Sequence, residues 1–313
     1  MRTAYLLVSH GSSDPRHQAG LTRLARGVRQ HLGRLSRSAQ AAISHHGSVS
    51  STESLAVTLP SALESQNSDP EPVLFRSRSH PQGLASNLPI VGTATLEAAE
   101  HSLATQIVQF TQRIAPQDVQ QLVIIPLFLL AGVHVKEDLP AEIAAAQQQL
   151  SAGLKVKCLP YLGGRQPFKD YVAARLAKTK ADRCVLLAHG SRRTAGNRAI
   201  QQLGQGLNAD VAFWAVAPDL ETQVYNLLQQ GHQHIAIAPF FLFPGSITDT
   251  IIHRTEQIAE HLPKLSLRLL SPLGTSSDLS KVIAEIALTT SHRLSSLPWS
   301  KSTPAVAENS ITA

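Results

Sequence analysis

Two histidines each follow an apolar run that is typical of a buried strand. His10 comes directly after residues 4–9, and His134 comes two residues after Gly132, which closes the run at residues 124–131. Uninterrupted apolar runs of this length are typical of interior strands in a parallel sheet. Ligands of such sheets bind at the carboxyl ends of the strands. We therefore expect His10 and His134 to lie at one sheet edge, where neutral imidazole could bind a metal ion or accept a proton.

The second half of the chain repeats the first. Residues 183–193 repeat the first strand with its His-Gly-Ser sequence, and residues 235–245 repeat the run that leads to His134. The alternation of strands and helices within each copy predicts parallel βαβ units with right-handed crossovers. The expected fold is therefore α/β, with a first half at residues 1–180 and a second half at residues 181–292.

Two segments of the chain carry no hydrophobic periodicity. Residues 36–87 are rich in Ser, Gln and Pro, and we expect a disordered insertion there, after a helix at about residues 16–34. The histidines of this insertion, at positions 45, 46 and 80, are interpreted as solvated spacers rather than metal ligands. Residues 293–313 are expected to form a disordered tail.

The two halves differ at the positions that could carry chemistry. When their corresponding segments are aligned, Glu97 falls opposite Trp214, and His134 falls opposite Ile247. Both halves keep the His-Gly-Ser sequence, but only the first combines His10, Glu97 and His134. We therefore predict that the first half carries the active site.

Two imidazoles and a carboxylate can hold a metal ion and accept protons at the same time. Neutral imidazole is a good ligand for Fe²⁺, Co²⁺ and Ni²⁺, and its ordinary pKa of about 6.5 lets it take up a proton at physiological pH. A nearby carboxylate can neutralise the cation or relay the proton. The chain has no G-x-x-x-x-G-K-[ST], no G-x-G-x-x-G after the first strand and no G-x-S-x-G. Phosphate-loop, dinucleotide and serine-hydrolase chemistry are therefore not indicated.

The composition argues against nucleic-acid and membrane partners. The net charge is +6, but the basic residues are scattered and aromatic residues make up only 4% of the chain, whereas a nucleic-acid surface needs basic clusters with stacking rings. No apolar stretch approaches the roughly 18 residues of a membrane helix, and the start carries no signal-peptide pattern, so we expect a cytoplasmic protein. Cys158 and Cys184 lie in apolar strand-like segments and are predicted to be buried thiols without a disulfide or a thiolate metal site.

Three segments resemble those of a known enzyme family. Residues 7–15, 126–140 and 239–249, which read LVSHGSSDP, PLFLLAGVHVKEDLP and PFFLFPGSITD, are similar to the class II chelatases of the CbiX/SirB type, the long two-domain sirohydrochlorin chelatases. The resemblance covers both halves and excludes the insertion, which departs from the usual length. It implies two flavodoxin-like halves that face each other across a cleft. It also implies insertion of a divalent metal ion into sirohydrochlorin without ATP and without a tightly bound cofactor.

The same resemblance implies roles for particular residues. His10, His134 and Glu97 match the family's positions for binding the metal and accepting the pyrrole protons. Sirohydrochlorin carries eight carboxylates, and the candidate substrate contacts are Ser12, Lys136, Arg165, Arg192 and Arg193. Ferrous iron is the expected metal substrate, which would give siroheme. Cobalt insertion for cobalamin synthesis, nickel as the metal, and a non-catalytic carrier of tetrapyrrole or metal stay open as alternatives.

Overall fold

The first half alternates strands with helices, as its sequence pattern predicts. The computed structural model describes residues 2–46, 88–192 and 194–294. The strands of the first half are β1 (Thr3–Ser9), β2 (Ile90–Thr95), β3 (Gln121–Pro126) and β4 (Lys155–Cys158). Its helices are α1 (Pro15–His46), α2 (Leu103–Ile114), α3 (Leu139–Gln147) and α4 (Gln166–Ala177). Short helical turns lie at Ala115–Gln117, His134–Asp138 and Leu162–Gly164.

The second half follows the same order of elements. Its strands are β5 (Arg183–Ala188), β6 (Asp210–Phe213), β7 (His234–Pro239) and β8 (Ser266–Leu269). Its helices are α5 (Thr194–Gly206), α6 (Leu220–Gln229), α7 (Ser246–His261) and α8 (Ser277–Leu294). A short 3₁₀ turn at Leu273–Thr275 corresponds to the one at Leu162–Gly164 in the first half.

Each half forms a four-stranded parallel sheet with the same topology. The order is β2-β1-β3-β4 in the first sheet and β6-β5-β7-β8 in the second, which is the order of flavodoxin-like folds without their last strand. Equivalent side chains cap equivalent helices, since Ser102 accepts from the amide of Thr105 at the start of α2 and Asp219 accepts from that of Thr222 at the start of α6. The predicted α/β fold with two duplicated halves is confirmed.

One hydrophobic core is shared by the two halves. The inner faces of both sheets and the buried sides of α1, α4, α5 and α8 contribute to a single cluster. The Tyr171 hydroxyl of α4 donates to the carbonyl of Leu273 at 2.6 Å, and Arg175 donates to the carbonyl of Ser271 at 2.7 Å. The outer faces have separate cores, under α2 and α3 in the first half and under α6 and α7 in the second. Both halves belong to one compact unit, whose described residues are 2–32, 89–192 and 194–294.

Helix α1 is longer than its hydrophobic pattern predicts. We expected it to end near residue 34 and disorder to begin at residue 36, but the helix continues to His46. The prediction of disorder is therefore wrong for residues 36–46. That stretch holds Arg, Ala and Gln without Gly or Pro, and these residues favour a helix even where no apolar face is repeated. The predicted disorder at residues 47–87 and 295–313 falls outside the described residues.

The described part of the chain contains no helix with the length and apolar content of a membrane span. Both cysteines are free thiols, as predicted, but Cys158 is exposed and Cys184 is half-buried. Cys158 ends an edge strand, which leaves one side of the residue uncovered, so the prediction of burial is wrong there. Packing around the sulfur nevertheless raises the pKa of the Cys158 thiol to about 11.

Candidate metal site

A tight turn places His10 beside Glu97 at the carboxyl edge of the first sheet. Strand β1 ends at Ser9, and the carbonyl of His10 accepts a hydrogen bond from the amide of Glu97 at 2.7 Å. Gly11 has a φ of +102°, and a Cβ there would lie 1.9 Å from the Glu97 carbonyl oxygen. Only glycine fits between the two loops, and it brings the His10 and Glu97 side chains to one place.

His134 reaches the same edge from a π-helical turn. Strand β3 ends at Pro126, inside the apolar run at residues 124–131, and the helical turn His134–Asp138 runs directly into α3. The carbonyl of Gly132 accepts from the amide of Lys136 at 3.1 Å and anchors the turn. The helical segment therefore begins at His134 itself. Turns of this kind occur often at functional sites.

The three side chains form one cluster. The Nε2 atoms of His10 and His134 are 3.1 Å apart, and the two rings meet edge-on with a centroid distance of 4.6 Å. Glu97 lies against both, with Oε2 at 3.7 Å from His10 Nε2 and Oε1 at 3.8 Å from His134 Nδ1. Within the described residues, this is the one group of three or more histidine, cysteine or carboxylate side chains close enough to share a metal ion.

The orientation of both rings is set by their Nδ1 atoms. His134 Nδ1 is 2.8 Å from Asp138 Oδ2, and His10 Nδ1 is 3.3 Å from the carbonyl of Gly11. When these nitrogens carry the protons, both Nε2 atoms keep a lone pair that can bind a cation. Metal–nitrogen bonds of about 2.1 Å would set neighbouring ligand nitrogens about 3.0 Å apart at a right angle. The observed 3.1 Å therefore suits a cation held between the two Nε2 atoms.

Asp138 was not identified from the sequence. It lies one helical turn after His134, and an i, i+4 pair meets only if the residues between are helical. The sequence pattern indicates only that His134 follows a strand, so the spacing His-x-x-x-Asp did not predict a contact. A carboxylate that accepts from the non-ligating nitrogen of a histidine is the usual support of a metal ligand.

The cluster is open to solvent. The side chains of His10, Glu97 and His134 are 48%, 53% and 36% exposed. A large flat ligand can therefore approach the metal position, and an ion held there can be exchanged. Both properties suit a site whose metal is a substrate rather than a permanent structural ion.

The second half lacks this cluster, although the predicted alignment needs one correction. The amide of Ala215 donates to the carbonyl of His189 at 2.8 Å, as the amide of Glu97 does to His10. Glu97 therefore corresponds to Ala215 rather than to Trp214. Seven residues separate β2 from α2 but six separate β6 from α6, and this difference shifted the alignment. The counterpart of His134 is Ile247, in α7, as predicted.

The predicted substrate contacts lie at sheet edges but differ in surroundings. Ser12 is exposed, and its hydroxyl accepts from the amide of Asp14 at 3.1 Å. Lys136 is exposed on the π-helical turn. Arg165 is half-buried and precedes α4. The pKa of Lys157 is lowered, first by the burial of Lys157 and second by the positive charge of Arg165. Arg192 is exposed just after β5, at the edge of the second sheet, and Arg193 lies outside the described residues.

Fold and site together define a class: two-half parallel α/β proteins with an open site of two histidines and a carboxylate at the edge of one sheet. The comparison with protein families identifies it more closely. The model of the CbiX family matches this chain twice, at residues 81–179 and 183–289, which together exceed half of the chain. The protein belongs to the CbiX family, and the resemblance found in the sequence is confirmed.

Individual relatives agree with this assignment. The chain is 23% identical to a sirohydrochlorin ferrochelatase of Priestia megaterium over 186 residues, which is 55% of this chain and 68% of the relative. SirB from Bacillus subtilis with Fe³⁺ has a similar structure, with a TM-score of 0.61, 18% identity and coverage of 93% of this chain and 96% of SirB. The cobalt complex of the sirohydrochlorin chelatase SirB from Bacillus subtilis subspecies spizizenii gives a TM-score of 0.59 and 17% identity, with 94% and 97% covered.

Proposed function

We propose that this protein is a sirohydrochlorin chelatase, which inserts a divalent metal ion into sirohydrochlorin, releases two protons and uses no ATP. Ferrous iron is the first candidate and would give siroheme. The observation that carries the proposal is the pair of Nε2 atoms 3.1 Å apart, with a carboxylate within 4 Å of both rings. Two imidazole nitrogens at this distance can bind one divalent cation together.

His10 and His134 would hold the incoming ion through their Nε2 atoms. Insertion exchanges two pyrrole N–H protons for one metal ion, so a proton acceptor has to stand next to the metal. Glu97 Oε2 lies 3.7 Å from His10 Nε2 and is more than half exposed, so it can accept a proton from the macrocycle and pass it to water. As the ion leaves for the macrocycle, the freed imidazole of His10 can take up the second proton.

The substrate would be held by its carboxylates. Ser12 and Lys136 lie two residues from His10 and His134 in the sequence, and Arg165 directly precedes α4, in the connection that follows strand β4. Arg192 and Arg193, which follow β5, would bind from the second half. The net charge of +6 adds a general attraction for a polyanion, which salt would screen beyond about 8 Å. Contacts far from the metal could then contribute binding energy to distort the macrocycle toward the ion.

The ligand set does not distinguish between the candidate metals, so the assay has to identify the metal. Imidazole and carboxylate bind Fe²⁺, Co²⁺ and Ni²⁺ alike, with affinities that follow the Irving–Williams order, so supply selects the metal in the cell. The relatives with Fe³⁺ and with cobalt support iron and cobalt equally. We place the reaction in the cytoplasm, where the two free thiols would stay reduced.

The experiment is anaerobic metal insertion followed by the absorbance of sirohydrochlorin. Fe²⁺, Co²⁺ and Ni²⁺ are supplied separately without ATP, at a tenfold excess of macrocycle over protein. An enzyme converts the whole excess, whereas a carrier stops after one equivalent. The Glu97→Gln variant keeps the shape of the side chain, and we expect it to bind Co²⁺ but to insert metal slowly. No acceleration over the protein-free reaction with any of the three ions would refute the proposal.

A further inference from the structure

The loop that carries His10 is tied to the second half by a network of ion pairs. Arg16, in the first turn of α1, donates from Nη1 to Asp249 Oδ1 at 2.8 Å and from Nη2 to Asp249 Oδ2 at 2.6 Å. The same guanidinium donates to Asp14 from Nε at 3.0 Å and from Nη2 at 2.6 Å. We refer to Asp14, Arg16 and Asp249 as the clasp. It connects the first half, just after its metal-site loop, to the first turn of α7.

An aromatic contact also connects the start of α1 to the second half. The ring of His17 meets the ring of Phe243 edge-on at a centroid distance of 5.0 Å. Phe243 is buried and comes from the segment of the second half that precedes α7. A Cβ on Gly20 would lie 2.6 Å from the same ring, so α1 approaches it closely. The start of α1 thus rests on the second half through a polar contact and an apolar one.

Asp249 occupies a position whose counterpart in the first half is Lys136. Both residues come four positions after a glycine, and both amides donate to that glycine's carbonyl, at 3.1 Å from Lys136 to Gly132 and at 3.1 Å from Asp249 to Gly245. The two positions therefore correspond in the repeat, although Lys136 lies on a π-helical turn and Asp249 in an α-helix, and their charges are opposite. In the second half this position carries a carboxylate that binds Arg16 of the first half.

We propose that the clasp is a positioning device through which the second half fixes His10 for metal binding. The inference rests on the proposed function. His10 is four residues before Asp14, and within this short loop the amide of Asp14 donates to the Ser12 hydroxyl at 3.1 Å. A shift of Asp14 would therefore act on the loop that carries His10. The second half, which lacks the metal-binding cluster, thereby acts on the cluster of the first.

The carboxylates of the clasp stay ionised between pH 5 and 8, so its ion pairs stay formed in that range. Hydrogen bonds from Arg16 lower the pKa values of Asp14 and Asp249 below the ordinary 3.8. Carboxylates of this kind stabilise the fold above their ordinary pKa, and the contribution is lost only as the pH falls through the lowered folded values. Variants of the clasp should therefore change the level of insertion activity between pH 5 and 8 but not the shape of its pH profile.

The test is a set of variants in the full chain, with Co²⁺ as the probe. We expect Asp249→Asn to weaken Co²⁺ binding by the protein alone by about fivefold, the upper range for an exposed ion pair. kcat should fall by a similar factor, and KM for sirohydrochlorin should stay the same. Asp249→Glu should restore Co²⁺ binding. The double variant with Arg16→Gln and Asp249→Asn should lose no more Co²⁺ affinity than either single variant. Glu260→Gln removes the same charge from the far end of α7 and serves as the control.

Three outcomes would overturn the inference. Co²⁺ affinity and kcat at the wild-type level in both Asp249→Asn and Arg16→Gln would show that the clasp does not position His10. A lower KM for sirohydrochlorin in Asp249→Asn would show that Asp249 competes with a substrate carboxylate for Arg16. Equal losses in Asp249→Asn and Glu260→Gln would indicate a general charge effect. Because Co²⁺ binding is measured without the macrocycle, failure of the proposed function would appear separately, as wild-type protein that binds Co²⁺ and inserts nothing.

Discussion

The carboxylate of Asp138 should set the metal affinity of the site through His134. It lies 2.8 Å from His134 Nδ1, and this contact keeps the proton on Nδ1 and leaves Nε2 free for the metal. Asp138→Asn keeps an acceptor oxygen but removes the charge. Asp138→Ala removes both, so that the ring can rotate and take the other tautomer.

The expected losses follow from the strength of this hydrogen bond. A bond to a charged group contributes about 1.5–3 kcal/mol, and a neutral bond about half of that. Both side chains are more than one third exposed, which places the value at the lower end. We therefore expect Asp138→Asn to weaken metal binding about threefold to fivefold, and Asp138→Ala by about tenfold or more, at 1.4 kcal/mol for each factor of ten.

The assay is calorimetric titration of the protein with Co²⁺ at pH 7.5 or above, where competition from protons is small. Glu137→Gln is the matched control, because Glu137 is exposed, carries the same charge and directly precedes Asp138. Affinity within twofold of wild type in both Asp138 variants would refute the reasoning, and so would an equal loss in the control. Thermal unfolding should be nearly unchanged, since Asp138 lies on the surface of its turn.

Three further outcomes are expected. His10→Ala and His134→Ala should each abolish most metal insertion while His189→Ala retains it, measured as initial rates; an equal loss at His189 would contradict a single site. Insertion at constant free metal should fall as the pH drops from about 8 to 5, across the ordinary histidine pKa of about 6.5, because protonated imidazole binds no cation; a flat profile would exclude histidine ligands. Deleting about residues 38–86 should leave a folded, active protein, because the core residues of α1 end at Leu32 and β2 begins at Ile90; insoluble or inactive protein would show that the tract takes part.

The parts of this structure that depend on local pattern could be predicted from the sequence. The apolar runs before His10 and His134 are strands that end at one sheet edge, and the repeated motifs do form two equivalent sheets. Each of these inferences needs only the period of the hydrophobic residues and the direction of the chain.

The remaining features depend on loop lengths, helix boundaries and long-range contacts, which no local sequence pattern predicts. A loop shortened by one residue moved the counterpart of Glu97 from Trp214 to Ala215. Asp138 contacts His134 only because the helix begins at the histidine itself. Arg16 and Asp249 are 233 positions apart in the chain, and only the packing of the two halves brings them together.

The core shared by the two halves has the form of a dimer interface within one polypeptide. Equivalent helices, α1 with α5 and α4 with α8, supply it, as identical patches do where two copies of a protein meet. A mutation in this interface would damage both halves, whereas a duplicated metal site has a spare copy. Two halves joined in one chain need not have identical sheet edges, and the second edge carries Ala215 and Ile247 where the first carries Glu97 and His134, whereas the core between the sheets still needs apolar residues from both halves. The asymmetry of the site and the symmetry of the core would then have the same origin.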